Sequence, residues 1–268
     1  MHMVSPGTIS QAAGLLSTSR RLVVLTGAGV SKESGVPTFR DALDGLWARY
    51  DPQELATPQA FQRNPKLVWD WYAYRRSLVK AAQPNPGHYA LAELEDLLPQ
   101  VVIVTQNVDD LHQRAGSSDV VALHGALMRN RCFRNCQGDP TIIDLDALEG
   151  YDPEAGPPAC PYCGDWVRPD VVWFNETLPP EALRRAMALS EQADVMLVVG
   201  TSGVVQPAAS LPFVARSAGA RLIEVNPSPG GITPIVDVWL DGPSGEVLPE
   251  LVAAVREMLA KGASADGD

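Results

Sequence analysis

Apolar residues along this chain fall into two rhythms. Four short runs are apolar at almost every position: Arg21-Leu22-Val23-Val24-Leu25-Thr26, Val101-Val102-Ile103-Val104-Thr105, Val195-Met196-Leu197-Val198-Val199 and Arg221-Leu222-Ile223-Glu224-Val225. Runs of this length, rich in β-branched residues, read as parallel strands buried on both faces. Between them apolar positions recur at helical spacing, over Gly87 to Leu98, Pro180 to Gln192 and Pro207 to Ala218. A short first helix closes at Gly14-Leu15-Leu16, and Leu248 to Leu259 forms a last one that packs on the sheet. The alternation predicts an α/β fold, a parallel sheet wrapped on both faces.

Two stretches break the alternation. Residues 41–87 hold no strand-like run and read as helices, notably Pro65 to Ala82 with Val68, Trp69, Tyr72 and Leu78. Residues 130–166 hold all four cysteines in a loop rich in Pro, Gly and Asp. The two insertions are expected to form one small helical and metal-binding domain. The sheet domain then comprises residues 1–40, 88–129 and 167–268. The tail after Lys261 is Gly, Ala, Ser and Asp, and is expected to fray.

Charge narrows the partners. The chain carries 21 basic and 32 acidic residues, net −11, within 268 residues that are 46% hydrophobic. Such a surface repels phosphate backbones and anionic lipid, so neither nucleic acid nor membrane is expected as a partner. No apolar run approaches the roughly 18 residues of a membrane span. With no export signal at the N-terminus, a cytoplasmic protein is expected, and a monomer by default. Four cysteines in a reducing compartment argue for metal or thiol use over a disulfide framework.

Gly27-Ala28-Gly29 follows the first strand directly. Small residues there let backbone N–H groups approach a pyrophosphate. A tight turn without a ligand explains the same residues equally well. The full dinucleotide fingerprint wants a third glycine at position 32, which is Lys32. Ser31, Ser34, Gly35, Pro37, Thr38, Phe39 and Arg40 instead make a polar loop where a dehydrogenase would continue into helix.

Cys132 and Cys136 enclose three residues, Cys160 and Cys163 enclose two, and twenty-three separate the pairs. Two close pairs across a loop suit a tetrahedral four-thiolate zinc site. Its closed shell leaves no open coordination position, so its role is structural. It would stitch a segment with too few apolar groups to fold alone.

Three further segments complete the pattern: Thr105-Gln106-Asn107-Val108-Asp109, Leu123-His124-Gly125 and Gly200-Thr201-Ser202. With the stretch from Gly27 to Arg40 they match in order and spacing the signature of the sirtuins, which the chain resembles over about residues 15–250. The resemblance implies an NAD-dependent protein-lysine deacylase with a large Rossmann-like domain and a small zinc domain. NAD, consumed as co-substrate, would lie between them. Gly27, Ala28 and Gly29 would line the pyrophosphate, and Thr38, Phe39 and Arg40 would lie near the ribose and the departing nicotinamide. Gln106, Asn107 and Asp109 would hold the nicotinamide ribose and carboxamide. Gly200, Thr201, Ser202 and Asn226 would hold the adenosine side, with Ser244 near adenine mostly through backbone. Val172-Trp173-Phe174 would pair with the backbone of the acyl-lysine substrate as an added strand. His124, with Asn107, would be catalytic, His124 helping a ribose hydroxyl to attack. The products would be lysine, nicotinamide and O-acyl-ADP-ribose. His88 and His112 are expected to be satisfied and non-catalytic.

Tyr72 and Arg75 are three apart and share a helix face. A guanidinium fork and a phenol suit a carboxylate. By spacing alone, Tyr72 packs in a core and Arg75 is a solvated charge. In the class III sirtuins, however, a Tyr-x-x-Arg in this place reads the carboxylate of succinyl-, malonyl- and glutaryl-lysine, and Thr38 fits that class too. The resemblance therefore implies a desuccinylase and demalonylase with weaker deacetylase activity. Three positions depart from the pattern: Asn175 where glycine is usual, Asp170 where histidine is common, and the three-residue spacing after Cys132. A mono-ADP-ribosyltransferase on the same NAD site, or a non-catalytic NAD sensor, are the competing readings.

Overall fold

The strands, in chain order, are β1 (Leu22–Thr26), β2 (Val101–Thr105), β3 (Val120–Ala122), β4 (Gly125–Cys132), β5 (Val167–Val171), β6 (Val195–Val199), β7 (Arg221–Val225) and β8 (Val238–Leu240). They belong to a computed structural model that describes residues 4–38 and 50–265. The helices are α1 (Pro6–Ser17), α2 (Gly29–Lys32), α3 (Pro52–Leu55), α4 (Pro58–Arg63), α5 (Pro65–Ala81), α6 (Pro86–Leu97), α7 (Leu111–Arg114), α8 (Pro180–Gln192), α9 (Leu211–Ser217) and α10 (Ser244–Ala265).

Six strands form one sheet in the order β3-β2-β1-β6-β7-β8, and every neighbouring pair is parallel. Successive side chains of a strand point to opposite faces. Leu22 and Val24 accordingly pack with Leu16, Leu91 and Leu251 of α1, α6 and α10. Val23 and Leu25 pack on the other face with Ala186, Leu211 and Ala215 of α8 and α9. Both faces are covered, which is why the strand is apolar throughout rather than alternating. The expected Rossmann-like sheet is therefore present. The three-residue edge strands β3 and β8 add to the four expected.

The second, smaller domain brings α3, α4 and α5 against β4 and β5. Consecutive helices here start alike: Thr57, Asn64 and Asn85 cap α4, α5 and α6 with side-chain oxygens, each followed by proline. The cap accepts an otherwise orphaned N–H, and proline has no N–H to orphan. Phe61, Val68, Trp71 and Tyr72 pack with Leu127, Val171 and Trp173. A smaller cluster joins Trp69, Ile143 and Val167 to Cys132 and Cys160. β4 pairs antiparallel with β5, Cys132 opposite Val167. Because β4 runs through position 130, the expected line between the two domains passes through a strand.

Element ends differ slightly from expectation. α10 starts at Ser244 rather than Leu248, and the helix expected from Pro207 begins as a 3-10 turn before α9. Pro212 lacks an N–H and is tolerated only in the first turn of α9. Among the described residues no helix is long and apolar enough to cross a membrane.

Candidate active site

The sequence motifs converge because the strands that carry them are parallel and end level. Thr26 lies beside Thr105 and Val199, Val199 beside Val225, and Thr105 beside Ala122. The residues that follow are therefore neighbours along one edge: Gly27, Gln106, Gly200, Asn226 and, two past β3, His124. The chain leaves β1 toward β2 and β3 on one side, and β6 leads to β7 and β8 on the other. A crevice opens at such a reversal, outside the carboxyl ends of the strands.

The glycines of this edge do something the sequence reading did not foresee. A Cβ on Gly27 would meet Thr201 Cβ at 2.8 Å, and one on Gly29 would meet the Gly200 carbonyl oxygen at 2.6 Å. Gly200 has φ +59°, and a Cβ there would meet the Val30 nitrogen at 2.4 Å. The small residues let two loops, not only a ligand, come together. The Gly27 and Gly29 N–H groups donate to the Val199 and Gly200 carbonyls at 3.0 and 2.8 Å. Among the described residues, the Ala28 amide makes no such bond and is the one the turn offers to a phosphate.

Beside the turn lies a buried polar cluster. Ser31 donates to Asp109 Oδ2 at 2.9 Å and accepts from Asn107 Nδ2 at 3.1 Å. Its remaining contact, 3.4 Å from His88 Nε2, must then come from an N–H of that ring. His88 Nδ1 accepts from the Asn85 N–H at 3.3 Å, which fits the same neutral tautomer. Thr26 donates to Thr105 Oγ1 at 2.8 Å and so accepts from His112 Nε2 at 3.0 Å. Burial lowers the His88 pKa to about 4 and, with the neighbouring His88, that of His112 to about 3. Both rings are neutral; His88 has a partner on each nitrogen, whereas His112 Nδ1 is buried without one, so the expectation of a satisfied ring holds for His88 and not for His112. Burial raises the Asp109 pKa, opposed by hydrogen bonds from Leu111 and Ser31.

Asn107 is oriented by this cluster. Its Nδ2 is committed to Ser31, and its Oδ1 is buried with no hydrogen-bond partner. A buried acceptor left unmade costs about 1–3 kcal/mol, so it marks where a donor fits. A ribose hydroxyl or a carboxamide N–H would supply one, and in this respect the pocket fits NAD. Gln106 Nε2 donates to Thr201 Oγ1 at 3.0 Å, and Asn226 Nδ2 to the Thr201 carbonyl at 3.0 Å. Gln106 and Asn226 thus brace the loop Gly200-Thr201-Ser202. Ser244 is buried and donates to Glu33 Oε2 at 3.0 Å, leaving backbone for any adenine contact. Thr38 and Ser202 are half-buried on the loops flanking the crevice. Phe39 and Arg40 lie outside the described residues.

His124 Nδ1 stands 2.8 Å from the Gln106 carbonyl oxygen. A carbonyl only accepts, so Nδ1 carries the hydrogen and Nε2 keeps its lone pair. Burial lowers the pKa, partly offset by that bond. Gly125, the first residue of β4, has φ +82°, and a Cβ there would strike the Asp170 carbonyl oxygen.

The four cysteine sulfurs converge, all within 4.8 Å of one another. Cys132 and Cys163 are 3.6 Å apart, and Cys136 and Cys160 are 3.8 Å apart. A tetrahedron with Zn–S arms near 2.3 Å has edges of about 3.8 Å. The donor set fits one structural zinc ion. The extra residue between Cys132 and Cys136 is absorbed by a turn with Asn135 in the left-handed region, φ 50°.

Known proteins agree with this geometry. The Sir2 family model matches residues 27–207. The NAD-dependent protein deacylase 2 of Pyrobaculum aerophilum is 55% identical over 247 residues, 92% of this chain and 96% of that protein. The chain belongs to the Sir2 family. A crystal structure of a Sir2 homolog–NAD complex superposes with TM-score 0.86 at 49% identity, covering 97% of each chain. A second, of Sir2Af2 bound to a myristoylated histone peptide, gives TM-score 0.76 at 36% identity, covering 96% of this chain and all of that one.

The loop that follows β5 is held by groups that no sequence motif announced. Arg168 is buried and forks onto Glu176, Nη1 to Oε1 at 2.5 Å and Nη2 to Oε2 at 2.9 Å. Its guanidinium carbon lies 3.3 Å from the centre of the Trp173 ring. The amides of Val172, Trp173 and Phe174 donate to the His124 carbonyl, Glu176 and the Ala56 carbonyl. A peptide strand added here would therefore pair through carbonyls. Asn175 stands in the left-handed region, φ 69°, which asparagine tolerates, so it keeps the backbone of the usual glycine. Asp170 is buried and ion-paired to Arg129 at 2.7 Å.

Tyr72 and Arg75 are both buried on one face of α5. The Tyr72 hydroxyl accepts from Trp173 Nε1 at 2.9 Å, and burial pushes its pKa to about 12. Arg75 rests over the Trp71 ring, 5.1 Å from its centre. Burial lowers its pKa, while Tyr72 and Asp109 nearby raise it. Arg75 is thus not the solvated helix charge that spacing alone suggested. Sequence reasoning named Ser31 only as part of the polar loop after the glycine turn, and it did not single out Arg168 or Glu176.

Proposed function

We propose that this chain is an NAD-consuming protein-lysine deacylase that prefers acyl groups ending in a carboxylate. The reading rests on one observation above others: a buried guanidinium, Arg75, shares a helix face with the Tyr72 phenol and senses Asp109. A guanidinium fork beside a phenol matches the two oxygens of a carboxylate, so an acyl group that ends in one fits the pair. Relatives named as NAD-dependent protein deacylases, and a relative crystallised with an acylated histone peptide, support the general class.

In this reading NAD supplies an electrophilic ribose carbon and a leaving group. Asn107 Oδ1 and Asp109 orient the ribose and carboxamide, with Ser31 fixing both. The Ala28 amide and the loop Gly200-Thr201-Ser202 hold the phosphates and adenosine, with Asn226 bracing the loop. Nε2 of His124 takes the proton of a ribose hydroxyl, and the Gln106 carbonyl keeps that nitrogen free of hydrogen. Val172, Trp173 and Phe174 present the peptide, and the acyl chain reaches inward toward Tyr72 and Arg75. Zinc held by Cys132, Cys136, Cys160 and Cys163 would fix the small domain. The sheet domain would comprise 1–40, 88–129 and 167–268, with the enzyme acting as a cytoplasmic monomer on acylated proteins and not on nucleic acid.

The test compares kcat/KM on succinyl-, acetyl- and myristoyl-lysine peptides, before and after Arg75→Met. A succinyl preference that Arg75→Met abolishes, with acetyl turnover kept, is expected. A preference for acetyl or myristoyl that the substitution leaves alone would refute the acyl-carboxylate reading.

A further inference from the structure

We propose that Trp173 is a specificity-determining positioning residue: its indole N–H occupies the Tyr72 oxygen on one side and leaves the hydroxyl hydrogen to be donated to the acyl carboxylate. The inference rests on the carboxylate reading given above and names how it is achieved.

The chemistry of the pair is one-directional. An indole N–H only donates, so in the 2.9 Å contact Tyr72 must be the acceptor. Its own hydrogen is then unused by Trp173. Among the described residues no other hydrogen bond to that hydroxyl is present, and the side chain is 1% exposed. A pKa near 12 keeps the phenol protonated at neutral pH. A buried donor without an acceptor is costly, and a carboxylate is the strongest acceptor a substrate brings.

The indole cannot follow Tyr72, because it is held elsewhere. Its main-chain N–H donates to Glu176 Oε2 at 2.8 Å. Arg168 covers one face of the ring, and Phe61 leans on it with ring centres 5.2 Å apart. Arg168 is itself clamped by Glu176 and by the Val171 carbonyl at 2.7 Å. The loop that presents the peptide thereby dictates the orientation of a phenol 101 residues earlier on α5. A purely packing role would require the ring but not its N–H.

Two replacements separate these roles. The Trp173 indole is exchanged for its benzothiophene isostere, which keeps the shape and loses the N–H, and Trp173→Phe is made in parallel. Each is made alone and together with Tyr72→Phe, and steady-state constants are measured on succinyl- and acetyl-lysine peptides. Loss of one hydrogen bond to a charged group predicts a succinyl KM raised about tenfold. The acetyl KM rises by a smaller factor, so the succinyl-to-acetyl ratio of kcat/KM falls, and the Tyr72→Phe background shows no further change in that ratio. Succinyl and acetyl KM rising by the same factor would make Trp173 a packing residue and overturn the proposal. So would a succinyl KM that rises in Tyr72→Phe but not in either Trp173 replacement. If Tyr72→Phe itself leaves the succinyl KM unchanged, the carboxylate reading and this inference fall together.

Discussion

His124 Nδ1 donates to the main-chain carbonyl of Gln106 at 2.8 Å, and this one bond decides which ring nitrogen can act as a base. The carbonyl belongs to the residue after β2, and the ring to the residue two past β3. Parallel pairing of those strands brings them together. Replacing His124 with Asn removes the base and leaves the fold intact. The expected loss in kcat is about 10²–10⁴-fold, with NAD affinity retained in a titration. Because burial lowers the His124 pKa from 6.5, the acid limb of kcat/KM should lie below that value. An acid limb above it would contradict the assignment.

A second pH effect concerns stability rather than turnover. The folded pKa values of His88 and His112, about 4 and about 3, lie below the ordinary 6.5. Above 6.5 both folded and unfolded chains are neutral at these rings, and they contribute nothing. As pH falls from 6.5 toward 4 the unfolded chain binds protons that the folded one refuses. Stability should therefore drop by up to about 1.4 kcal/mol per pH unit for each ring. Urea midpoints measured across this window should fall, and His112→Gln should flatten the slope. Midpoints that stay constant on acidification, or a slope unchanged by His112→Gln, would argue against buried neutral rings.

The four-thiolate cluster makes a third expectation. Each purified chain should hold one zinc ion by elemental analysis. Cys160→Ser should lose it, and a strong chelator should abolish activity by unfolding the small domain rather than by removing a catalytic group. The fluorescence of Trp69, packed in the cluster that contains Cys132 and Cys160, reports that unfolding. Full activity of a metal-free protein would show that the cysteines do not staple this domain.

The sheet was legible because burial on both faces writes strands such as β1 and β6 as unbroken apolar runs. β5 was not: Val167-Arg168-Pro169-Asp170-Val171 is wholly buried, yet carries an arginine and an aspartate. Their charges are answered by Glu176 and Arg129, partners that only the folded chain brings near. β3 and β8, three residues each, are too short to show a rhythm. His124, Asn107 and the cysteines stood out because their motifs are local. The Tyr72–Trp173 bond joins residues 101 apart and left no local trace. The glycine turn was read as a ligand cradle or a bare tight turn, and not as a seam between two loops, since the Gly200 loop that also demands small residues lies far along the chain.

Nicotinamide release measured alongside peptide deacylation tests the central claim most directly. With NAD and a succinyl-lysine peptide, one nicotinamide should appear for each lysine freed. With the unacylated peptide, essentially none should appear. Nicotinamide released without loss of acyl group, at a rate indifferent to acylation, would contradict the account and point to ADP-ribosyl transfer instead.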